Sequence, residues 1–232
     1  MSLKNFIKGE LTGWSKIEIT VISLIFALII VNGIHMKDST IAIISAICGI
    51  LYSVIAGKGK VSCFFFGLLA SLGYSWMSFE NALWGNLILY VCYYLPMQTI
   101  GIFTWSKNLK KENQEIVKLE LSLKQKVLYS ISAIIVSSIV IALISYFHGH
   151  SPFFDGVTAV VAIYGMYFTV KRYVEQWMAW TIVNGLSAFM WLDLVMHGAK
   201  NYATLTMWIV YLILSIYFYV TWKKELRQSK EQ

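Results

Sequence analysis

The sequence predicts an all-α membrane protein with eight transmembrane helices. Of its 232 residues, 58% are hydrophobic and only 13% are charged, whereas soluble domains carry about 25% charged residues. Long apolar runs recur along the whole chain, and the cations sit in short clusters between them. Because of this distribution, the net charge of +7 does not indicate nucleic-acid binding.

Eight apolar runs approach the roughly 20 residues that a spanning helix needs. The longest connector, 106–126, is charged and amphipathic, which is compatible with a short surface helix, and the sequence assigns it no function. In chain order the predicted spans are 17–35, 40–56, 62–79, 82–105, 127–147, 154–170, 175–197 and 201–222.

The loop charges predict the orientation of these spans. Taken alternately, the loops place all but two of the 19 lysines and arginines on one side of the membrane, and only Lys37 and Lys200 on the other. Lysine and arginine accumulate on the cytoplasmic side, so both termini are expected to be cytoplasmic. A missed or an added helix would scramble this pattern, which supports the count of eight.

An internal repeat divides the spans into two sets of three. The stretches 48–71 and 163–184 share one plan, in which an apolar run, a two-cation loop and an aromatic-rich run follow each other. The third helix of each set closes on Thr, Trp and a nearby Lys, at Thr104-Trp105 and at Thr221-Trp222. Two units with an odd helix count lie parallel only if an extra helix joins them, and 127–147 supplies that helix. The prediction is a leading helix followed by a 3+1+3 parallel-repeat core.

This plan divides the chain into four predicted parts. They are a cytoplasmic N-terminus with the leading helix (1–38), the first three-helix repeat (39–106), a connector with the linker helix (107–150), and the second repeat with a cytoplasmic tail (151–232).

The span 175–197 carries the first candidate binding residues. Trp177, Trp180 and Asn184 are spaced i, i+3 and i+7, which predicts two indoles and an amide on one helical face. Flat aromatic surfaces beside an amide suit a flat, polar small molecule. Trp177 lies near the cytoplasmic cations and fits an interfacial aromatic belt equally well. Glu175 is expected to pair with Lys171 or Arg172 at the surface.

The span 82–105 carries a second stripe of polar and aromatic residues. An amide facing lipid would be left unpaired at a cost of several kcal/mol, so the stripe predicts either a ligand pathway or hydrogen bonding between helices. Trp105 also fits an aromatic belt, and Pro96 predicts a kink, since it removes a helical donor. The stripe consists of Asn86, Tyr90, Tyr94, Gln98, Gly101 and Trp105, and the weaker stripe of the repeat-related span 201–222 contains Thr204, Trp208, Tyr211, Ser215 and Trp222.

The residues missing from the spans exclude several functions. No carboxylate, histidine or arginine falls in the middle third of any predicted span, which argues against a proton-coupled pump. The chain has no nucleotide-binding P-loop, no HExxH and no plausible Ser–His–Asp set. We therefore expect neither an enzyme nor a metal or cofactor site.

Two motifs resemble those of the PnuC family. The stretch from Tyr173 to Asn184 fits the pattern YVE-x-W-x-x-W-x-x-x-N, and the stretch from Gln98 to Trp105 fits Q-x-x-G-x-x-x-W. Phe65-Phe66-Gly67-Leu68 also fits the first repeat of that family, and the resemblance covers about residues 40–225.

The resemblance implies a bacterial inner-membrane transporter of nicotinamide riboside, an NAD precursor. It further implies a 3+1+3 core similar to that of the SWEET sugar transporters, a homotrimer, and a leading helix that does not touch substrate. A cytoplasmic riboside kinase would be the metabolic partner that traps the substrate. Indole faces attract a pyridinium cation, and the amides of Gln98 and Asn184 suit a carboxamide or ribose hydroxyls, so the motifs and the chemistry agree.

Two other functions stay open at this point. One is transport of another flat cationic vitamin, thiamine above all. The other is a membrane sensor or enzyme that binds a nucleoside without moving it. The transporter hypothesis requires that the uncharged rings and amides of the two repeats line a wet cavity near the middle of the bilayer.

Overall fold

The computed structural model describes residues 9–10, 12–80, 84–110, 115–147, 151–197 and 202–231. Within these residues one long helix forms at each predicted span and no strand forms, so the predicted all-helical class is confirmed. The helices are α1 (Lys16–Met36), α2 (Thr40–Gly57), α3 (Cys63–Glu80), α4 (the joined segments Trp84–Leu89, Tyr90–Tyr94 and Leu95–Ser106), α5 (Leu123–Tyr146), α6 (Pro152–Val170), α7 (Gln176–Met196) and α8 (Tyr202–Glu231).

Most of these helices meet the requirements of a membrane span. Among the described residues, seven helices are long and apolar enough to cross a membrane; α3, with 18 residues, is outside that set. Its second half carries Tyr74, two serines and Glu80, which lower its hydropathy. The first residues of the predicted spans 82–105 and 201–222, and Lys4, Lys8, Lys111 and Lys200 of the loop-charge argument, lie outside the described residues.

The chain divides into two compact units. The N-terminal unit, Met1–Val117, packs α1 on α2, α2 on α3 and α3 on α4. The C-terminal unit, Lys118–Gln232, packs α5 on α6, α6 on α7 and α7 on α8. The predicted four-part division and the 3+1+3 repeat stay predictions, and each unit is described below by itself.

The turn between α2 and α3 ends in a left-handed residue. Gly59 has φ 68°, and the N–H of Lys60 reaches back to the carbonyl of Ile55 at 3.2 Å, while that of Gly59 reaches Ala56 at 2.9 Å. This double bond pattern is the Schellman ending of a helix, in which glycine is usual because it has no Cβ. The carbonyl of Gly59 then accepts the N–H of Ile116 at 3.0 Å.

The turn between α6 and α7 has the same backbone with a different residue at its centre. Arg172 has φ 65°, its N–H donates to Thr169 at 2.9 Å, and the N–H of Tyr173 donates to Phe168 at 2.9 Å. The carbonyl of Arg172 accepts the N–H of Leu119 at 2.9 Å. Partial burial lowers the pKa of the Arg172 guanidinium from its usual value. A non-glycine residue in this conformation is uncommon and indicates that the surrounding contacts hold it there.

The surface helix that the sequence allows in the connector 106–126 is absent from the part of it that the structure describes between α4 and α5. Leu109 and Ile116 form an antiparallel bridge, with the N–H of Lys110 donating to Glu115 at 2.7 Å and that of Val117 donating to Asn108 at 2.9 Å. The chain then runs extended until Ser122 begins α5 with a capping box to Gln125. Bonding to the turn residues, at Ile116 in the first unit and at Leu119 in the second, replaces the hydrogen bonds that a helix would make within itself.

Pro96 is preceded in α4 by a widened helical turn. Residues Tyr90–Tyr94 form a π-helical segment, and Pro96 stands in the first turn of the α-helical segment that follows. The N–H of Leu95 donates to the carbonyl of Tyr90, five residues back. Since Pro96 has no N–H to give, the backbone accommodates it by this local widening, a feature frequent at functional sites.

Candidate functional site

Trp177 lies at the start of α7 and is fully packed. Its side chain is 3% exposed, and its ring centroid is 5.1 Å from that of Phe218 and 5.8 Å from that of Trp222, both on α8. Its indole N–H has no hydrogen-bond partner within the part of the chain that the structure describes. Trp177 therefore anchors α7 to α8, and its buried donor is unsatisfied.

Trp180 faces α6 rather than α8. The indole lies against Gly165, where an added Cβ would be 3.2 Å from Cε2 of the ring. Its N–H donates to the Thr169 hydroxyl at 3.3 Å. The side chain is only partly buried. Gly165 thus leaves space for the indole, and the hydrogen bond to Thr169 fixes its orientation. Part of the indole stays accessible.

Asn184 shares a polar contact with α8. Its amide nitrogen is 3.5 Å from the hydroxyl of Ser215, which also accepts the Thr181 hydroxyl at 3.1 Å and donates to the Leu212 carbonyl at 2.9 Å. Asn184 is 6% and Ser215 is 2% exposed. The predicted single face of Trp177, Trp180 and Asn184 is therefore split between two neighbours, because on a regular helix Trp180 is turned about 60° from Trp177 and about 40° from Asn184.

In the N-terminal unit, Gln98 lies against α3. A Cβ on Gly67 would come within 2.5 Å of the Gln98 amide, so Gly67 makes the space in which this side chain sits. Gln98 is 4% exposed, and its Oε1 has no hydrogen-bond partner among the residues described. An unsatisfied buried acceptor costs about 1–3 kcal/mol, a cost that a ligand donor would remove.

Gly101 and Trp105 form the contact between α3 and α4. A Cβ on Gly101 would lie 2.2 Å from the ring of Phe64, and the same ring meets Trp105 edge to face, at 4.9 Å and 82°. Trp105 and Phe64 are both 0% exposed. Gly101 thus allows the close approach of a neighbouring helix.

The tyrosines of the predicted stripe form a ladder with α3. The Tyr90 ring stacks on Tyr74 at 5.4 Å and 16°, and Tyr94 follows Tyr90 at 5.2 Å. Both stripe tyrosines are partly buried, while Asn86 is exposed. The π-helical segment Tyr90–Tyr94 lies within the stripe, and the two tyrosines at its ends stay in ring contact.

The expectation for Glu175 is wrong. Its side chain is buried, at 6% exposed, and its carboxylate lies 3.1 Å from the ammonium of Lys126 and accepts the N–H of Leu121 at 3.2 Å. The sequence suggested pairing with Lys171 or Arg172 because these cations are its near neighbours in the chain. The extended connector, which the sequence did not predict, brings other partners to it.

Several residues that shape the site escaped the sequence analysis as candidates. Gly67 and Gly165 make room for Gln98 and Trp180, and Thr169 orients Trp180. Their signal is a small residue inside a span, which indicates close packing at that point. Gly165 and Thr169 are spaced i, i+4 on α6 and show this signal; pairing them with Trp180 requires the fold.

Together these features define a multi-span helical membrane protein with uncharged aromatic and amide groups inside its helical units. The comparisons with known proteins identify its class. Residues 39–224 match the family described as nicotinamide mononucleotide transporter, and the chain belongs to this family.

Similar proteins are known from several bacteria. The chain is 30% identical to the nicotinamide riboside transporter PnuC of Neisseria mucosa, over 100% of this chain and 90% of that protein. It is also 30% identical to the PnuC of Haemophilus influenzae, over 99% of this chain and 100% of that protein. A crystal structure titled as the vitamin B3 transporter PnuC superposes with a TM-score of 0.81 at 31% identity, covering 98% of this chain and 99% of the other. The resemblance inferred from the two motifs is confirmed.

Proposed function

We infer that this chain takes up nicotinamide riboside across a membrane. Two full-length relatives carry the name of nicotinamide riboside transporter, and the chain shares their family. These relatives are transporters, in agreement with the expectation that the chain is not an enzyme.

The observation that carries the proposal is the fixed, partly exposed indole of Trp180 near the Asn184 amide. The two residues are four apart on α7 and therefore neighbours on its surface. Gly165 and Thr169 hold the indole in place before any ligand arrives, which reduces the ordering cost of binding. An indole face attracts a cation such as pyridinium by about 0.5–2 kcal/mol, and an amide offers both a donor and an acceptor to a carboxamide or a ribose.

The charge of the spans favours the riboside over the mononucleotide. A phosphate is usually bound by arginine or lysine, and the stretch 176–196 that forms α7 contains neither. Lys171 and Arg172 precede the helix at its cytoplasmic end. The polar and aromatic side chains of α7 between Trp177 and Asn184 are indoles, a hydroxyl and an amide. They suit a substrate with one positive charge and no phosphate.

The N-terminal unit supplies its own proposed contacts. Gln98 offers a buried acceptor without a partner among the described residues, and Tyr94 and Tyr90 continue from it along α4 with Asn86 at the exposed end. We propose Gln98 as a direct contact and the other three as lining of the pathway. In the C-terminal unit Ser215 would act by holding Asn184, and Trp177, Gly101 and Trp105 by packing the helices that carry the contacts.

No energy source beyond the membrane potential is needed. An inside-negative potential favours entry of a monovalent cation by about 2.3 kcal/mol per 100 mV. Phosphorylation by a cytoplasmic riboside kinase would then prevent the substrate from leaving. The proposed mechanism is facilitated diffusion followed by metabolic trapping.

We propose that the architecture follows the predicted plan of a leading helix and a 3+1+3 parallel-repeat core similar to the SWEET fold. Supporting this, the turns at Gly59 and Arg172 share one backbone conformation, and Trp105 of α4 and Trp222 of α8 each pack edge to face on an aromatic ring of their own unit. The proposal places the protein in the bacterial inner membrane as a homotrimer with cytoplasmic termini. Native mass spectrometry and cysteine labelling of either terminus in intact cells test these two points.

Reconstitution into vesicles tests the function. Labelled nicotinamide riboside should equilibrate into proteoliposomes that contain the purified chain and stay outside protein-free vesicles. An inside-negative diffusion potential of about 100 mV should raise accumulation about 50-fold, because each 1.4 kcal/mol is a factor of ten. Absence of uptake would exclude a transporter, and binding without uptake would favour the nucleoside sensor.

Competition with unlabelled compounds tests the substrate. Excess nicotinamide riboside should abolish uptake of the label, while excess mononucleotide and excess thiamine should leave most of it. Stronger competition by thiamine would instead make this chain a carrier of that vitamin.

A further inference from the structure

The start of α7 is held by a buried carboxylate that the proposed transport mechanism does not use. Glu175 directly precedes the helix and is 6% exposed. One of its oxygens lies 3.1 Å from the ammonium of Lys126, in the first turn of α5. The other accepts the backbone N–H of Leu121, in the extended connector, at 3.2 Å.

The ion pair is part of a chain of alternating charges within the C-terminal unit. Lys126 also contacts Glu120 at 2.9 Å, and Glu120 pairs with Lys223 of α8. Two carboxylates and two ammonium groups thus connect the start of α7 with α5, the connector and α8. Their charges cancel, so the cluster holds these elements together without presenting a net charge to a passing cation.

Glu175 is an unusual residue for this place if its task were only to begin a helix. Ser, Thr, Asp and Asn are the side chains that cap a helix start, and α5 uses such a cap at Ser122. Glu175 makes no side-chain hydrogen bond to the first turn of α7, whose residues the structure describes throughout. Burying a carboxylate is costly unless it is paired, so its position calls for a role beyond local capping.

We propose that Glu175, paired with Lys126, is a positioning residue for the substrate-binding face of α7. Trp180 is five residues further along, about 7.5 Å up the helix axis, and the first turn of α7 sets the direction in which its indole leaves the helix. Loosening that turn would let the indole leave Gly165 and Thr169, and affinity for the substrate would fall. This inference rests on the proposed function, because it assigns a positioning residue to the same substrate-binding site.

The test compares Glu175→Gln with a matched variant, Glu225→Gln. Glu225 of α8 pairs with the buried Lys118 of the same unit, and neither residue contacts α7 in an ion pair that the structure describes. Both substitutions neutralise one partner of an ion pair with a buried member in the C-terminal unit. In proteoliposomes, Glu175→Gln should raise the KM for nicotinamide riboside about 10-fold with the maximal rate within about 2-fold. Glu225→Gln should leave the KM unchanged.

A second readout does not depend on transport. Amide hydrogen exchange over residues 173–180 should become at least about 5-fold faster in Glu175→Gln and stay unchanged in Glu225→Gln. If the wild-type chain moves no nicotinamide riboside, the proposed function fails while this exchange difference still decides the positioning role. Unchanged exchange, or a loss of maximal rate at constant KM, overturns the proposal.

A double variant keeps the test valid if Glu175→Gln folds poorly. The double variant Glu175→Gln/Lys126→Met leaves no unpaired charge behind and should fold better than Glu175→Gln. It should nevertheless show the raised KM and the faster exchange. A double variant with wild-type KM and exchange would overturn the proposal.

Discussion

The turn between α2 and α3 and the turn between α6 and α7 have the same backbone and different side chains. Gly59 and Arg172 both adopt a left-handed conformation, and the carbonyl of each accepts an N–H from the connector, at Ile116 in one case and at Leu119 in the other. Behind the turns, a Trp meets an aromatic ring edge to face in both units, at 82° in the first and 80° in the second. The frame of hydrogen bonds and ring contacts is therefore the common part.

The side chains that face the next helix are the part that differs. The N-terminal unit uses two glycines, Gly67 and Gly101, to admit the Gln98 amide and the Phe64 ring. The C-terminal unit uses Gly165 to admit the Trp180 indole and carries a hydroxyl–amide pair between Ser215 and Asn184. The comparison teaches that the two units share the hydrogen bonds of the turn and the ring contact behind it. They differ in the side chains at a few positions where helices pack.

The largest expected loss of stability is at Gly101, a position of the N-terminal unit where only a residue without a Cβ fits. Gly101→Ala places a Cβ 2.2 Å from the fully buried Phe64 ring, and such overpacking costs about 1–3 kcal/mol. We expect a loss near the upper end, measured as a lower apparent Tm in detergent. Gly185→Ala in α7 is the control, because its Cβ would meet only Leu212 Cδ1 at 3.8 Å. An equal loss in both variants would mean that the space at Gly101 has no special role.

A smaller expected effect concerns substrate affinity. Gly67→Ala would displace the Gln98 amide, since the new Cβ would lie 2.5 Å from it, and should weaken nicotinamide riboside binding about 10-fold, or about 1.4 kcal/mol. The control is Gly33→Ala in α1, which overlaps Ile43 at 2.6 Å and should lower stability without changing the Kd. Calorimetric titration measures both, and a wild-type Kd for Gly67→Ala would show that Gln98 only packs helices.

Substitutions in the turn between α2 and α3 should lower the stability less. Gly59→Ala puts a Cβ on a left-handed residue and should cost about 1 kcal/mol of unfolding free energy. Gly59→Asn should cost less than Ala, because asparagine adopts this conformation more readily. Thermal unfolding of the two variants decides the order. If Ala were tolerated as well as Asn, the conformation of the turn would not matter for stability, and the similarity to the Arg172 turn would carry little meaning.

The smallest effect is expected at the far end of the stripe on α4. Asn86 is exposed, so Asn86→Ala should change the Kd for nicotinamide riboside by no more than about 2-fold. Tyr94→Phe, nearer the middle of the helix, is the companion variant and should change it more. A 10-fold loss in Asn86→Ala would move the binding site towards the start of α4.

The sequence predicted the helices well because their signal is local. Apolar runs and cation clusters can both be recognised within a short stretch of sequence, and each predicted span contains a long helix in the described structure. The motifs around Trp180 and Gln98 were sufficient for the family as well. What could be predicted from the chain alone is therefore the set of helices and the family, while the substrate-binding residues stay predictions.

The neighbours of those residues could not be predicted, because they depend on contacts distant in the sequence. Glu175 pairs with Lys126, which is 49 positions away in the sequence, since the described residues before α5 are not helical and bring Leu121 and Lys126 to it. The stripe on α4 contains a π-helical segment, which a fixed helical period does not anticipate. Trp180 faces α6 and Asn184 faces α8, a division that requires knowledge of which helix packs on each side.

Calorimetric binding of nicotinamide riboside to three purified proteins tests the central claim most directly. The wild-type chain should bind, Trp180→Ala should bind at least about 10-fold more weakly, and Trp84→Ala should match the wild type, since the Trp84 side chain is 57% exposed. All three should elute as one oligomeric species. Equal affinity of Trp180→Ala and the wild-type chain would contradict the claim that the indole on α7 binds the substrate.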